Sequence, residues 1–70
     1  MDKFVFRFRM KELRIEKGLS QKKLAELIGS NNSSVCDWEC GRSEPSLFYL
    51  VKLCKVFEVS ADYLLGISDF

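Results

Sequence analysis

The sequence predicts an all-α fold built from five short helices. Three observations carry this. Gly18, Gly29, Gly41 and Gly66 each follow a segment with helical apolar spacing, at the position where a left-handed residue ends a helix. Ser20, Asn31, Ser46 and Ser60 answer them as candidate N-caps. Proline occurs once, at Pro45, so no segment is broken from within.

The first helix is expected over about Arg7 to Lys17, with Phe6, Met10 and Leu13 at i, i+4, i+7 spacing. Its start is ambiguous. Phe4, Phe6, Phe8 and Met10 alternate with Val5, Arg7, Arg9 and Lys11, which is the period of a strand. A lone strand has no partner in an otherwise helical chain, so an early start of the first helix is the favoured reading. The alternative is an extended arm that pairs with a second copy.

The second helix is expected over about Gln21 to Ile28, with Leu24, Ala25 and Ile28 inward. The small Ala25 lets it approach the third helix, about Asn32 to Cys40, closely. The third helix carries small polar groups on one face and Val35 and Trp38 on the other. A fourth helix follows Pro45 and Ser46, with Leu47, Leu50, Val51, Cys54 and Phe57 on one broad stripe. A short fifth spans about Ala61 to Leu65, and no structure is expected for the tail Ile67 to Phe70. Phe4, Phe8 and Ile15 exceed what a five-helix core needs, and Leu27 falls on an exposed face. A contiguous patch of such residues would mark a dimer contact.

Seventy residues suit one small domain, expected over residues 1–70 with a core at about 6–66. A hydrophobic fraction of 47% is ample for a core. No apolar run approaches the roughly 18 residues of a membrane span. Phe4 to Phe8 is too short for a signal sequence and contains Arg7, so a cytoplasmic protein is expected. The three cysteines, Cys36, Cys40 and Cys54, are an odd number and fit reduced thiols. Cys36 and Cys40 are spaced to share a helix face. The chain has no His and offers no obvious third or fourth metal ligand, so neither a metal nor another cofactor is expected.

The formal net charge is only +1, but it is unevenly spread. Residues 1–30 hold eight Lys/Arg against four Asp/Glu, and residues 31–70 hold three against six. Fields act within a Debye length of about 8–10 Å, so a basic face can work on a near-neutral chain.

Gly18-Leu19-Ser20-Gln21, Leu24-Ala25, Gly29, Trp38-Glu39, Gly41 and Glu44-Pro45-Ser46 occur in an order that resembles the lambda-repressor-like helix-turn-helix domains of the Cro/C1 (Xre) regulators. Val59 to Gly66 resembles the close of the same domain, so the likeness runs from about residue 6 to 66. It implies a compact five-helix DNA-binding domain whose helix-turn-helix is formed by the second and third helices. By position it implies that Gln21 contacts backbone phosphate, and that Asn31 caps the recognition helix and touches phosphate. It assigns base edges to Asn32, Ser33 and Asp37, with Ser34 a lesser candidate. Arg42 and Ser43 fall in a loop that grips the DNA backbone. Arg14 and Glu39 match an ion pair between the first and third helices. Trp38 is read as core, and Lys22-Lys23 as a solvated face.

The departures matter. The third helix has no Lys or Arg, and Asp37 sets a carboxylate near phosphates, which costs energy unless it accepts a hydrogen bond, for instance from cytosine N4. Cys40 replaces a phosphate-contacting type, and Ser30 stands where an aliphatic usually closes the turn.

The leading expectation is a sequence-specific, repressor-like transcriptional regulator that binds double-stranded DNA as a homodimer on a pseudo-palindromic operator. The N-terminal arm or the fifth helix would make the dimer. No membrane or small-molecule partner is evident. The competing reading is a protein-interaction module that has lost DNA reading, motivated by the acidic third helix and the surplus N-terminal apolar residues. An enzyme is disfavoured: without His the commonest general base is missing, and no Gly-rich phosphate loop or carboxylate cluster occurs.

Overall fold

The computed structural model describes residues 2–69. Five helices follow in order: α1 (Lys3–Glu16), α2 (Gln21–Ile28), α3 (Asn32–Cys40), α4 (Leu47–Phe57) and α5 (Ala61–Leu64). Ser20, Asn31, Ser46 and Ser60 cap α2 to α5, each side chain accepting from a backbone N–H three residues on.

The N-terminus is helical, and the extended arm is not seen. Asp2 caps α1 by accepting from the N–H groups of Phe4 and Val5, at 3.0 and 3.1 Å. The alternating phenylalanines divide by the helical period. Phe6 and Met10 are buried, whereas Phe4 and Phe8 point outward. Helix α1 therefore begins four residues before Arg7, and Lys17 serves as its C-cap.

The core joins residues from every helix. Phe6 and Met10 of α1 meet Leu24, Ala25 and Ile28 of α2 and Val35 and Trp38 of α3. Leu53 and Phe57 of α4 and Leu64 of α5 close it. Trp38 is buried and packs its ring 5.6 Å from that of Tyr49.

The stripe expected on α4 is turned by about one residue, some 100°. Leu53 and Phe57 are buried and Leu50 packs beside them, but Leu47 and Val51 are exposed. The reason is that only Lys52 and Lys55 interrupt an apolar ring between Leu47 and Phe57. A helix that is apolar nearly all round does not encode which side faces the core.

Gly29 ends α2 in the left-handed region at φ 75°, and Ser30 N–H returns to the Ala25 carbonyl at 2.8 Å. Glu58 ends α4 with φ 57°, a left-handed cap on a residue with a Cβ. Arg9 holds the C-terminal segment to α1. Its guanidinium donates to the carbonyls of Tyr63 and Ser68 and lies 4.2 Å over the Tyr63 ring. Residues 67–69 form neither helix nor strand, and Phe70 lies outside the described residues.

Candidate nucleic-acid interface

Helix α3 presents one face to solvent. Val35 and Trp38 take the inner side, so the helical period turns Ser33, Cys36, Asp37 and Cys40 outward, at i, i+3, i+4 and i+7. Asn31, Asn32 and Ser33 are exposed, while Ser34 and Asp37 are half-buried. Asn31 spends its side-chain oxygen on the Ser34 N–H at 2.8 Å, so it acts as the cap of α3. The side chains of Asn32 and Ser33 make no hydrogen bond within the described residues and remain open to an external partner.

The angle of α3 is set from behind. Arg14 of α1 forms a two-pronged pair with Glu39 of α3, Nε to Oε2 at 2.7 Å and Nη2 to Oε1 at 3.1 Å. The Glu39 side chain is only 3% exposed and that of Arg14 only 12%. Arg14 also donates to the Leu19 carbonyl at 2.8 Å. Gln21 joins this group, its Nε2 donating to Glu39 Oε1 at 3.1 Å. One carboxylate thus links α1, the start of α2 and the last turn of α3.

The far end of α3 is tied to the N-terminus. Gly41 adopts φ 83°, and a Cβ there would lie 2.5 Å from Arg7 Nη1. The close approach lets Arg7 donate to the Cys40 carbonyl at 2.9 Å, a cation at a helix C-terminus. Arg7 also stacks over Phe4 at 4.8 Å, and Lys3 pairs with Glu44 at 3.2 Å. These contacts position the loop that holds Arg42 and Ser43, both exposed.

Asp37 is not an isolated carboxylate. Arg42 Nε donates to its Oδ1 at 2.9 Å, which raises the guanidinium above its already high ordinary pKa. The pair is internally compensated, so the outer face of α3 carries little net charge. Beside it the Cys36 and Cys40 sulfurs lie 3.8 Å apart, and Arg42 Nη2 is 3.8 Å from Cys36. The hydrogen bond with Cys40, more than any other contact, pushes the Cys36 thiol above its ordinary value.

The geometry thus gathers Asn32, Ser33, Asp37, Arg42 and Ser43 on one side of the molecule and leaves Arg14 and Glu39 behind it. Gln21 is held between the two by Glu39. Two residues were given no part in this interface by the sequence reading. Cys36 sits in the middle of the exposed face, a place the helical period allowed to be found. Arg7 supports the loop from α1, and nothing in the sequence marked that.

No helix among the described residues is long and apolar enough to cross a membrane. Among them there is also no group of three or more His, Cys, Asp or Glu side chains able to hold a metal.

The sequence model of the family described as Helix-turn-helix matches residues 10–64. The chain is 39% identical over 61 residues to the uncharacterized HTH-type transcriptional regulator YgzD of Bacillus subtilis (strain 168), covering 87% of this chain and 92% of that one. It is 38% identical over 61 residues to the SPbeta prophage-derived uncharacterized HTH-type transcriptional regulator YonR of the same organism, covering 87% of this chain but 56% of YonR. Several curated relatives are longer, and the chain spans about half of YonR, YobD and ImmR. Among solved structures it resembles the P22 c2 repressor in complex with synthetic operator 9T. The TM-score is 0.82 and the identity 28%, over 86% of this chain and 91% of that one. A transcriptional regulator from Listeria innocua aligns with a TM-score of 0.81 and 30% identity, over 87% of this chain and 57% of that one. With a family match over most of its length and a fold shared with the P22 repressor, the chain belongs to the helix-turn-helix family of the Cro/C1 type.

Proposed function

We infer that the protein is a repressor-like, sequence-specific regulator of transcription that reads double-stranded DNA through the exposed face of α3. One observation carries this reading: Asn32 and Ser33 stand outward at the start of α3, their side chains without a hydrogen-bond partner among the described residues, on a helix held rigidly by the buried Arg14–Glu39 pair. Asn32 suits adenine, whose N6 and N7 match its amide, at about 1–3 kcal/mol of discrimination. Ser33, Ser34 and Asp37 complete the reading face. Arg42, Ser43, Asn31 and Gln21 meet phosphates, with Gln21 exchanging part of its bond to Glu39. The P22 c2 repressor, with which this chain shares its fold, is known in complex with operator DNA, and that supports the assignment.

The chain acts as one reading domain, residues 1–70, in the cytoplasm on the nucleoid. Its reading helix has 9 residues, about 14 Å at 1.5 Å per residue, short of the roughly 34 Å between half-sites on successive turns of DNA. Two copies are therefore needed for a pseudo-palindromic operator. Helix α5 spends Leu64 in the core and no extended arm forms, which leaves the outward apolar faces of α1, with Phe4, Phe8 and Ile15, and of α4 as contacts. The favoured one is the outward side of α4, where Leu47 is 80%, Phe48 61% and Val51 52% exposed. Sedimentation equilibrium on operator-length DNA should give two copies per duplex for the native chain and one for Val51→Glu.

Selection of bound duplexes from a random pool tests the whole reading. The expected result is an enriched two-fold symmetric site whose affinity falls as salt rises. Recovery of unenriched sequences, or binding indifferent to salt, would favour the interaction-module reading instead.

A further inference from the structure

The outward face of α3 holds a second chemistry that base reading does not use. Cys36 and Cys40 lie one helical turn apart with their sulfurs at 3.8 Å, Cys40 exposed and Cys36 half-exposed. Two questions decide what such a pair does: what can bridge it, and what bridging would disturb.

A disulfide fits poorly. Its sulfurs must close to about 2.05 Å and its Cβ atoms to about 3.5–4.5 Å. Helix neighbours at i and i+4 keep their Cβ atoms about 5–6 Å apart. Closing the bond would unwind the end of α3. A single atom bonded to both sulfurs fits without such movement. Bonds of about 2.3 Å to one bridging atom, opened at the pyramidal angle of about 100°, set two sulfurs about 3.5 Å apart, a closure of a few tenths of an ångström from the 3.8 Å present.

The number of donors narrows the choice. A structural zinc site needs four ligands, and no third Cys, His, Asp or Glu completes a cluster among the described residues. The centre must therefore be soft, satisfied by two sulfurs, and bring its own remaining substituent. Trivalent organoarsenicals have that valence: three bonds, one already to carbon.

We propose that Cys36 and Cys40 form a dithiol site on the reading helix that captures trivalent organoarsenicals, and that occupation of the site switches off DNA reading. In the reaction two As–O bonds of the hydrated arsenical break and two S–As bonds form. The two thiol protons leave with the hydroxyls as two molecules of water. Neither arsenic nor sulfur changes oxidation state, so no oxidant is required. The bound group stands beside Asp37 in the C-terminal half of α3, on the face that would meet the groove. It also displaces Arg42, whose Nη2 rests 3.8 Å from Cys36 and whose Nε pairs with Asp37 at 2.9 Å. Bridging therefore obstructs the base-reading face and dislodges a phosphate contact together. The protonated state of Cys36 is no obstacle, because the arsenical carries the proton acceptors with it. Cys54 is partly buried on α4, apart from this pair, and serves as an internal control.

The regulatory half rests on the DNA-binding reading, and the experiment separates the two. The whole chain is treated with one equivalent of phenylarsine oxide in excess glutathione, then followed by intact mass, circular dichroism and DNA binding to a selected duplex. The expected result is one phenylarsenic per chain that survives glutathione, leaves the helical spectrum intact and is removed by dimercaptopropanol. It persists in Cys54→Ser and is lost in Cys36→Ser and in Cys40→Ser. DNA affinity should fall at least about tenfold on modification, comparable to losing one bidentate base contact, and recover with the dithiol. An adduct that glutathione strips, or that forms equally in Cys36→Ser, overturns the site. A stable adduct with unchanged DNA affinity overturns the switch. Failure of the untreated chain to bind any duplex at low salt overturns the DNA reading, while the adduct still decides the site.

Discussion

Arg42 illustrates how much a single residue's meaning depends on its neighbour. As a loop cation it reads as a phosphate clamp, and the structure sets it 2.9 Å from Asp37. It therefore also neutralises the carboxylate that would otherwise repel the DNA backbone. Arg42→Ala should weaken binding to all sequences alike and reduce the salt slope by about 1. Asn32→Ala should instead flatten discrimination at one position by about 1–3 kcal/mol. Gel-shift titrations across operator variants separate the two, and equal losses on every variant for Asn32→Ala would contradict its role. Glu39 has a different task. Its side chain is 3% exposed and bonds Arg14 twice and Gln21 once. Glu39→Ala leaves the Arg14 guanidinium confined with no counter-charge and only the Leu19 carbonyl to bond, at a cost of about 3 kcal/mol. Denaturant unfolding would measure it, and a cost below about 1 kcal/mol, typical of surface pairs, would refute the supporting role.

At the scale of the helix, ends were more legible than faces. Caps are local chemistry: a hydroxyl or amide reaches an N–H three residues on, and a glycine turns left-handed. The starts at Ser20, Asn31, Ser46 and Ser60 could therefore be found by inspection. Helix α4 shows where that stops. Its apolar ring fits several orientations, and only packing against α2 and α5 chose Leu53 over Val51 for the core. Its C-cap was also hidden, because Glu58 takes the left-handed conformation that glycine usually supplies. Glu58→Gly should relieve a left-handed penalty of about 1–2 kcal/mol, less the roughly 0.5–1 kcal/mol of extra freedom a glycine loses on folding, and so raise stability by about 0.5–1 kcal/mol. The Lys17–Glu58 pair it removes is exposed and offsets little. A thermal melt showing no increase would mean that the left-handed turn is not strained.

For the whole molecule, charge and titration set the working conditions. The net charge of +1 and the compensated face of α3 give DNA little long-range attraction. Fewer than about four phosphates should be neutralised per copy, so log affinity should fall with log salt less steeply than about −4. Cys54 makes stability sensitive to high pH. Burial raises its pKa in the folded state, whereas the unfolded thiol ionises near about 8.5. Its contribution is complete below that value and is lost as pH rises through the raised folded value. Melting temperature should therefore decline in that range for the native chain, and the decline should shrink in Cys54→Ala. Equal pH profiles would exclude Cys54 as the cause.

By itself the sequence determined where α2 to α5 begin, which residues form most of the core, and the order of motifs by which the family is known. These depend on nearest neighbours along the chain and on a short period, both of which are written in residue order. Tertiary structure alone decided the facing of α4 and the pairing of Asp37 with Arg42. It also brought Arg7 to the end of α3, 33 residues away. Each of these is a choice among local arrangements of similar energy, and only the shared core and the contacts between helices separate them.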